Sequence, residues 1–270
     1  MKKLIAAMII LCTIFGIAKI HEGYNPYTRD MVDTVTFRDH EEDVLYAWYQ
    51  SGWGAGMTVM QDNNGKPKLY SKYSEDYERT CDILKTKIFV DFEEKTMYTW
   101  YRTDEGAGMS VMLDSDGKPK IYDRPISIYK IIKDISKTKI FVYKPTNVMF
   151  SWYREENGAG LSMMLNADGT PKIYDKEISK YNDITYITDE MIFVDWKTKT
   201  MFFFYEEDGA GDIVIIPNPD GTHMTLDKLP FKYFIQNQIV DTKTFIDKEE
   251  NVEYIWFKGK DWGGLTEMPK

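Results

Sequence analysis

The chain has 270 residues, a net charge of −9 and two cysteines. An acidic chain without a basic cluster suits neither nucleic acid nor an anionic membrane surface as a partner. No paired-cysteine framework is available, so stability must come from packing.

The N-terminus reads as a leader. Lys2 and Lys3 precede an uncharged apolar run, Leu4 to Ala18, with Gly16 and Ala18 as small residues before a cut. Its 15 residues fall short of the ~20 that a membrane helix needs. Residues 1–18 are therefore expected to be a signal peptide, and the mature protein secreted or otherwise extracytoplasmic. The alternative is an N-terminal membrane anchor, if the leader stays uncleaved. Cys12 follows Ile10 and Leu11 rather than small residues, which argues against lipidation. Losing Lys2 and Lys3 with the leader takes the net charge from −9 to −11.

From residue 34 onward the chain repeats every 52 residues, five times. Phe37, Phe89, Phe141, Phe193 and Phe245 keep this spacing, as do Trp48, Trp100, Trp152, Phe204 and Trp256. Such a period outranks any local reading. The copies run at about 34–71, 86–123, 138–175, 190–227 and 242–270, inside one domain spanning 19–270. A single copy is too small to bury much surface, so the copies should pack on one another.

The second copy serves as the specimen. Lys87–Val90 is a short β-rich run, and Met97–Arg102 is an aromatic one. Gly106-Ala107-Gly108 breaks the pattern before the third run, Met109–Leu113. Asp114-Ser115-Asp116-Gly117 is a hairpin turn, and Lys120-Ile121-Tyr122 a fourth run. Each copy is thus expected to be a four-stranded antiparallel meander. Along the second run, Tyr98 and Trp100 face one way and Tyr101 the other. Both faces are apolar, so the sheet must be covered on both sides. Copies 1 and 5 keep this pattern, so neither end of a linear stack would have a polar cap. The expected fold is all-β, a five-bladed β-propeller of ~52-residue four-stranded repeats.

Copy five reaches only its third run by Lys270. Lys19-Ile20-His21 resembles Lys120-Ile121-Tyr122, so the N-terminal segment is expected to supply a fourth strand and close the ring. Between copies, Tyr77, Tyr129, Tyr181 and Tyr233 stay in step, followed by Ile83, Ile135, Ile187 and Ile239. Their spacing fits a short helix or a strand equally well. Cys81 falls at a repeat position otherwise held by Arg29, Lys133, Thr185 and Asn237, which predicts an exposed thiol without a role.

The fifth copy reads Asp247-Lys248-Glu249-Glu250-Asn251-Val252-Glu253-Tyr254, then Trp262-Gly263-Gly264-Leu265-Thr266. This resembles a small uncharacterised domain of bacterial and phage proteins, with a D-K-x-T-G-V-x-Y, G-Y-G-G-G-L-T, D-x-x-G-K-P pattern. The first copy carries the later part at Gly56-Met57-Thr58 and Asp62 to Pro67, the second at Gly106 to Ser110 and Asp114 to Pro119. The resemblance implies no catalytic residue.

The remaining motifs are weighed against turn and core chemistry. Asp114-x-Asp116-Gly117 and its counterparts lack the bidentate Glu of a calcium loop. The Gly-Ala-Gly stretches (54–56, 106–108, 158–160, 209–211) lack the helix and the Lys-Ser/Thr pair of a phosphate loop, and suit close backbone approach instead. His21, His40 and His223 occupy unrelated repeat positions, so no metal and no cofactor is expected. No nucleophile–base arrangement is visible, and the chain is not expected to be an enzyme. Trp53 and Trp262, which the period does not require, are the candidate ligand-binding residues; as neighbours across the ring closure they could form an aromatic surface, or equally each could pack locally on its own hairpin. The expected function is non-catalytic extracytoplasmic binding by a monomer, lectin-like and directed at carbohydrate. The alternatives are a protein-interaction or surface scaffold, then a hydrolase with a central acidic site.

Overall fold

The computed structural model describes residues 28–30, 34–70, 80–123, 132–175, 181, 183–188, 191–195, 198–226 and 241–268. These residues form an all-β, five-bladed propeller. Blade one contains β2 (Val35–Arg38), β3 (Leu45–Ser51), β4 (Gly54–Val59) and β5 (Thr80–Asp82). Blade two contains β6 (Lys87–Val90), β7 (Met97–Arg102), β8 (Ala107–Val111) and β9 (Ile132–Asp134). Blade three contains β10 (Lys139–Tyr143), β11 (Val148–Glu155), β12 (Gly158–Met163) and β13 (Ile184–Tyr186). Blade four shows β14 (Ile192–Val194), β15 (Met201–Glu207) and β16 (Ala210–Ile215). Its fourth place, residues 236–238 by the period, lies outside the described residues. Blade five is β17 (Asp241–Asp247), β18 (Val252–Lys258) and β19 (Gly263–Glu267), joined by β1 (Thr28–Asp30).

The first three strands of each blade pair antiparallel, as their turns require. The fourth does not follow the expected meander. Lys120-Ile121-Tyr122 is not the edge strand; Ile121 makes only an isolated bridge to Thr96. In blade one the same return segment ties the strand ends together. Lys68 N–H donates to the Met60 carbonyl, and Leu45 N–H donates to that of Lys68. Pro67, which has no N–H to give, precedes it. The outer edge is filled instead by the linker: β5 pairs parallel with β2, β9 with β6 and β13 with β10. After β5 and β9 comes a 3-10 turn, Ile83–Lys85 and Ile135–Lys137, capped by Asp82 and Asp134. The linker is therefore strand and short helix in succession. Ile83, Ile135 and Ile187 are buried, as is Tyr181, whereas Tyr77, Tyr129, Tyr233 and Ile239 lie outside the described residues. Cys81 corrects another expectation: paired with Phe37, it is half-buried against the core.

The N-terminal segment does complete blade five. β1 pairs parallel with β17, Thr28 opposite Thr244 and Asp30 opposite Ile246. It takes the outer place that β5 takes in blade one, not the place of Lys120–Tyr122. Lys19-Ile20-His21 lies outside the described residues.

The repeated aromatics stitch each blade to the next. Trp48 meets Tyr101 edge-on at 5.3 Å, Trp100 meets Tyr153 at 5.3 Å, and Trp152 meets Tyr205 at 5.1 Å. Trp256 meets Tyr49 at 5.3 Å, so blade five packs on blade one and the ring is closed. A second ladder joins Phe37 to Tyr101, Phe89 to Tyr153, Phe141 to Tyr205, Phe193 to Phe257 and Phe245 to Tyr49. Edge-to-face pairs of this kind add ~0.5–1.5 kcal/mol each beyond area burial. The period is thus the spacing of one inter-blade contact, repeated until it meets itself.

Buried polar groups are matched across the same seams. Tyr98, pushed up to about 12 by burial, accepts from Leu165 N–H in the next blade (3.0 Å). Tyr46 accepts from Leu113 N–H, and Tyr254 from Gln61 N–H. Lys120 enters blade one to reach Asp39, Lys172 reaches Asp91 and Lys68 reaches Asp247, each at 2.7 Å and buried.

Candidate functional site

Three places bear chemistry: the loop face between the second and third strands, the hairpin face at the opposite end, and the axis. On the loop face, successive blades are linked by polar side chains. Gln50 donates to Glu105 (2.7 Å) and Thr103 to Gln50 (2.9 Å); Arg102 pairs with Glu156, and Arg154 with Asp208 (2.6 Å). From this layer Trp53 stands out 56% exposed, the most exposed large hydrophobic side chain among the described residues. It is lifted by Gly52, whose left-handed φ of +60° a side chain would strain. A Cβ at Gly52 would also lie 3.3 Å from Lys258 Nζ of blade five.

Trp262 does not join it. Its side chain is fully buried and stacks on Phe204 at 5.6 Å and 15°. The indole lies over Gly259, where a Cβ would fall 1.9 Å from Nε1. Phe204 stands where the other blades have Trp, so the indole packs on the smaller ring in that seam. The two tryptophans therefore form no common surface. The period explains why: Trp262 is in step with Gly54, Gly106, Gly158 and Ala210, at the inward-facing start of the third strand, whereas Trp53 is in step with loop residues.

On the hairpin face the carboxylates serve their own turns. Asp62 accepts from Asn64 and Lys66 N–H, and Asp114 from Asp116 and Lys118 N–H. Asp168 and Asp220 are held below the usual carboxylate range by the hydroxyls and N–H groups of Thr170 and Thr222. Among the described residues no cluster of three or more His, Cys, Asp or Glu is placed to hold a metal. A groove of about 430 Å³ runs between the hairpin of blade one (Lys66, Lys68) and blade five (Glu249, Glu250). Its buried cation is already paired, Lys68 with Asp247 and Glu249.

The axis holds a residue that the sequence reading passed over. The inner strands β4, β8, β12 and β19 approach their neighbours so closely that they carry glycine at one position. A Cβ on Gly56 would lie 2.1 Å from Leu265 N, and one on Gly108 2.3 Å from Met57 N. In blade four that position is Asp212, opposite Tyr205 as Gly160 is opposite Tyr153. Asp212 is 2% exposed, and its carboxyl accepts from Leu161 N–H (2.9 Å) and Ile213 N–H (2.8 Å). Both N–H groups belong to non-hydrogen-bonded strand pairs, so they point away from their own sheets. Burial pushes the Asp212 carboxyl well above its usual range, the two N–H groups opposing the shift. With backbone donors as its partners, Asp212 acts as a cross-brace between blades three and four. The signal was available: Gly-Ala-Gly at 209–211 is one residue out of step with the 52-residue period, which puts an acid in the glycine column.

Residues 71–122 match a family of unknown function, DUF6440. The match is one period long and runs from the linker through β5 to the return segment of blade two. No curated protein matches the chain. No solved structure matches it.

Proposed function

We propose that the protein is a non-catalytic binding module that works outside the cytoplasm and takes carbohydrate on its loop face. The observation that carries this reading is Trp53. The repeated aromatics are consumed in the seams, but this indole lies outside the repeat and projects from a surface rich in hydrogen-bonding side chains. A flat exposed ring on the face that carries Gln50, Thr103 and Glu105 suits a sugar's apolar face and its hydroxyls together. The corresponding loop positions, Glu105, Asn157, Gly209 and Asp261, carry no aromatic ring, so one site per ring is expected rather than five. The extracytoplasmic setting rests on the leader, residues 1–18. No helix among the described residues is long and apolar enough to cross a membrane, and the leader lies outside them.

The test is a glycan array probed with the leader-free chain beside its Trp53→Ala variant. Binding that vanishes in the variant while the melting temperature holds supports the site. A folded protein that binds no glycan removes the carbohydrate reading and leaves the protein-interaction scaffold.

A further inference from the structure

On the loop face, two seams are closed by matched charges. Between blades two and three, Lys87 pairs with Glu155 and Arg102 with Glu156. Between blades three and four, Lys139 pairs with Glu207 (3.4 Å) and Arg154 with Asp208 (2.6 Å). In each seam two cations of one blade meet consecutive acids where the second strand of the next blade ends.

The closing seam keeps the cations and lacks the acids. Lys243 and Lys258 of blade five are in step with Lys139 and Arg154, but blade one answers them with Ser51 and Gly52, in step with Glu155 and Glu156. The turn is the same in all three places, with φ +60° at Gly52, +52° at Glu156 and +50° at Asp208. Lys243 Nζ donates to Ser51 Oγ (3.3 Å) and to the Tyr49 hydroxyl (3.1 Å). Lys258 Nζ lies 3.3 Å from the point where a Cβ on Gly52 would stand. Both ammonium groups thus reach blade one at adjoining residues, just before Trp53. Among the described residues no carboxylate pairs with either. Glu105, the acid of the following loop, is bonded to Gln50 (2.7 Å) instead. Both lysines are only half-buried, so solvent reaches them.

The other two seams have no cation pair to answer. The same two positions hold Val35 and Gln50 in blade one, and Met191 and Glu206 in blade four. Wherever the cations come as a pair, the acids do too, except at the closure. In a chain of net charge −9 acids are plentiful, so their loss at these two adjoining positions is local.

We propose that Lys243 and Lys258 form an anion subsite, and that the ligand of the Trp53 face is a carboxylated saccharide. This inference rests on the carbohydrate reading and narrows it. The indole takes the apolar face of the sugar, and the sugar's carboxylate takes the place that Glu155 and Glu156 hold between blades two and three. The hydroxyls already on Lys243 do not bar it, because Lys139 holds the Tyr205 hydroxyl (2.6 Å) and Glu207 together. Hydrogen bonds between charged partners are roughly twice as strong as neutral ones, so the subsite selects acid over neutral sugar.

The experiment is a glycan array on which uronate- and sialate-bearing saccharides each stand beside their methyl esters, read at several concentrations of the full chain. The ester keeps the sugar and removes the charge. Acids are expected to bind roughly tenfold or more tightly than their esters, and added salt should narrow the gap. Lys258→Gln copies Gln50, and Ser51→Glu restores the acid of the other seams; each should narrow the gap with the melting temperature unchanged. Trp53→Ala should weaken acids and esters together. Equal binding of acids and esters, or binding confined to neutral or sulfated saccharides, overturns this inference and leaves the carbohydrate reading standing. An acid preference that survives both Lys258→Gln and Ser51→Glu overturns it as well. Binding of no saccharide removes both readings.

Discussion

The seam between blades one and two and the seam between blades three and four make the same join with opposite chemistry. In the first, Lys120 pairs with buried Asp39, and Tyr46 accepts from Leu113 N–H. In the second, the two ion-pair positions hold Tyr143 and Met224, which share one apolar cluster. The tyrosine position holds Phe150, and the residue in step with Leu113 is Pro217, which has no N–H. Donor and acceptor have been removed together in both places. The lesson is one of sign: a buried polar pair can be exchanged for an apolar pair at little cost, whereas half of a pair cannot be left behind.

The largest expected effect breaks that symmetry. Lys120→Met alone strands Asp39 and should cost about 3–5 kcal/mol in urea unfolding. Adding Asp39→Tyr, which copies the seam of blades three and four, should recover most of it. A double variant no more stable than the single would sink the comparison. Next, Tyr98→Phe leaves Leu165 N–H without an acceptor and should cost about 1–3 kcal/mol by the same assay. The smallest effect is a slope. The seam of blades three and four also contains Asp212, whose native carboxyl holds its proton above the unfolded value of 3.8. Above that pH the unfolded chain gives up a proton that the native chain keeps, so this group's contribution to stability falls as pH rises. Melting temperatures of wild type and Asp212→Asn across pH 4–8 should show the wild type declining more steeply; parallel curves would remove Asp212 as the cause.

Much of the ring was legible because its contacts are periodic. Phe37, Trp48, Tyr49 and their counterparts sit in step because each meets the same partner one blade on, and strict spacing is how that geometry appears in a sequence. The outer strands were not legible. Thr80-Cys81-Asp82, Ile132-Lys133-Asp134 and Ile184-Thr185-Tyr186 share no apolar alternation, since an edge strand three residues long is held by its backbone. Lys120-Ile121-Tyr122 looked more strand-like because its side chains are the ones that pack. At the candidate sites, the exposure of Trp53 follows from its loop, whereas Trp262 was grouped with it and Asp212 was passed over for one reason. Local motifs were compared where the period should have been followed. In two neighbouring columns of inner-strand glycines, one around Gly54 and one around Gly56, the bulky departures are an indole and a carboxyl, and both lie at the seams of blade four.

The matched segment 71–122 begins before β5 and ends after the return segment of blade two. Its first strand therefore belongs to the neighbour: β5 completes blade one, while the rest of the segment builds blade two. Each unit arrives carrying the clasp for the unit before it. A gene that duplicates this segment adds a link that already knows how to fasten. A protein made of one such unit would have to look to further copies of itself for the partner of that clasp. In this chain the last clasp is β1, so the ring is locked by the part of the domain that leaves the ribosome first.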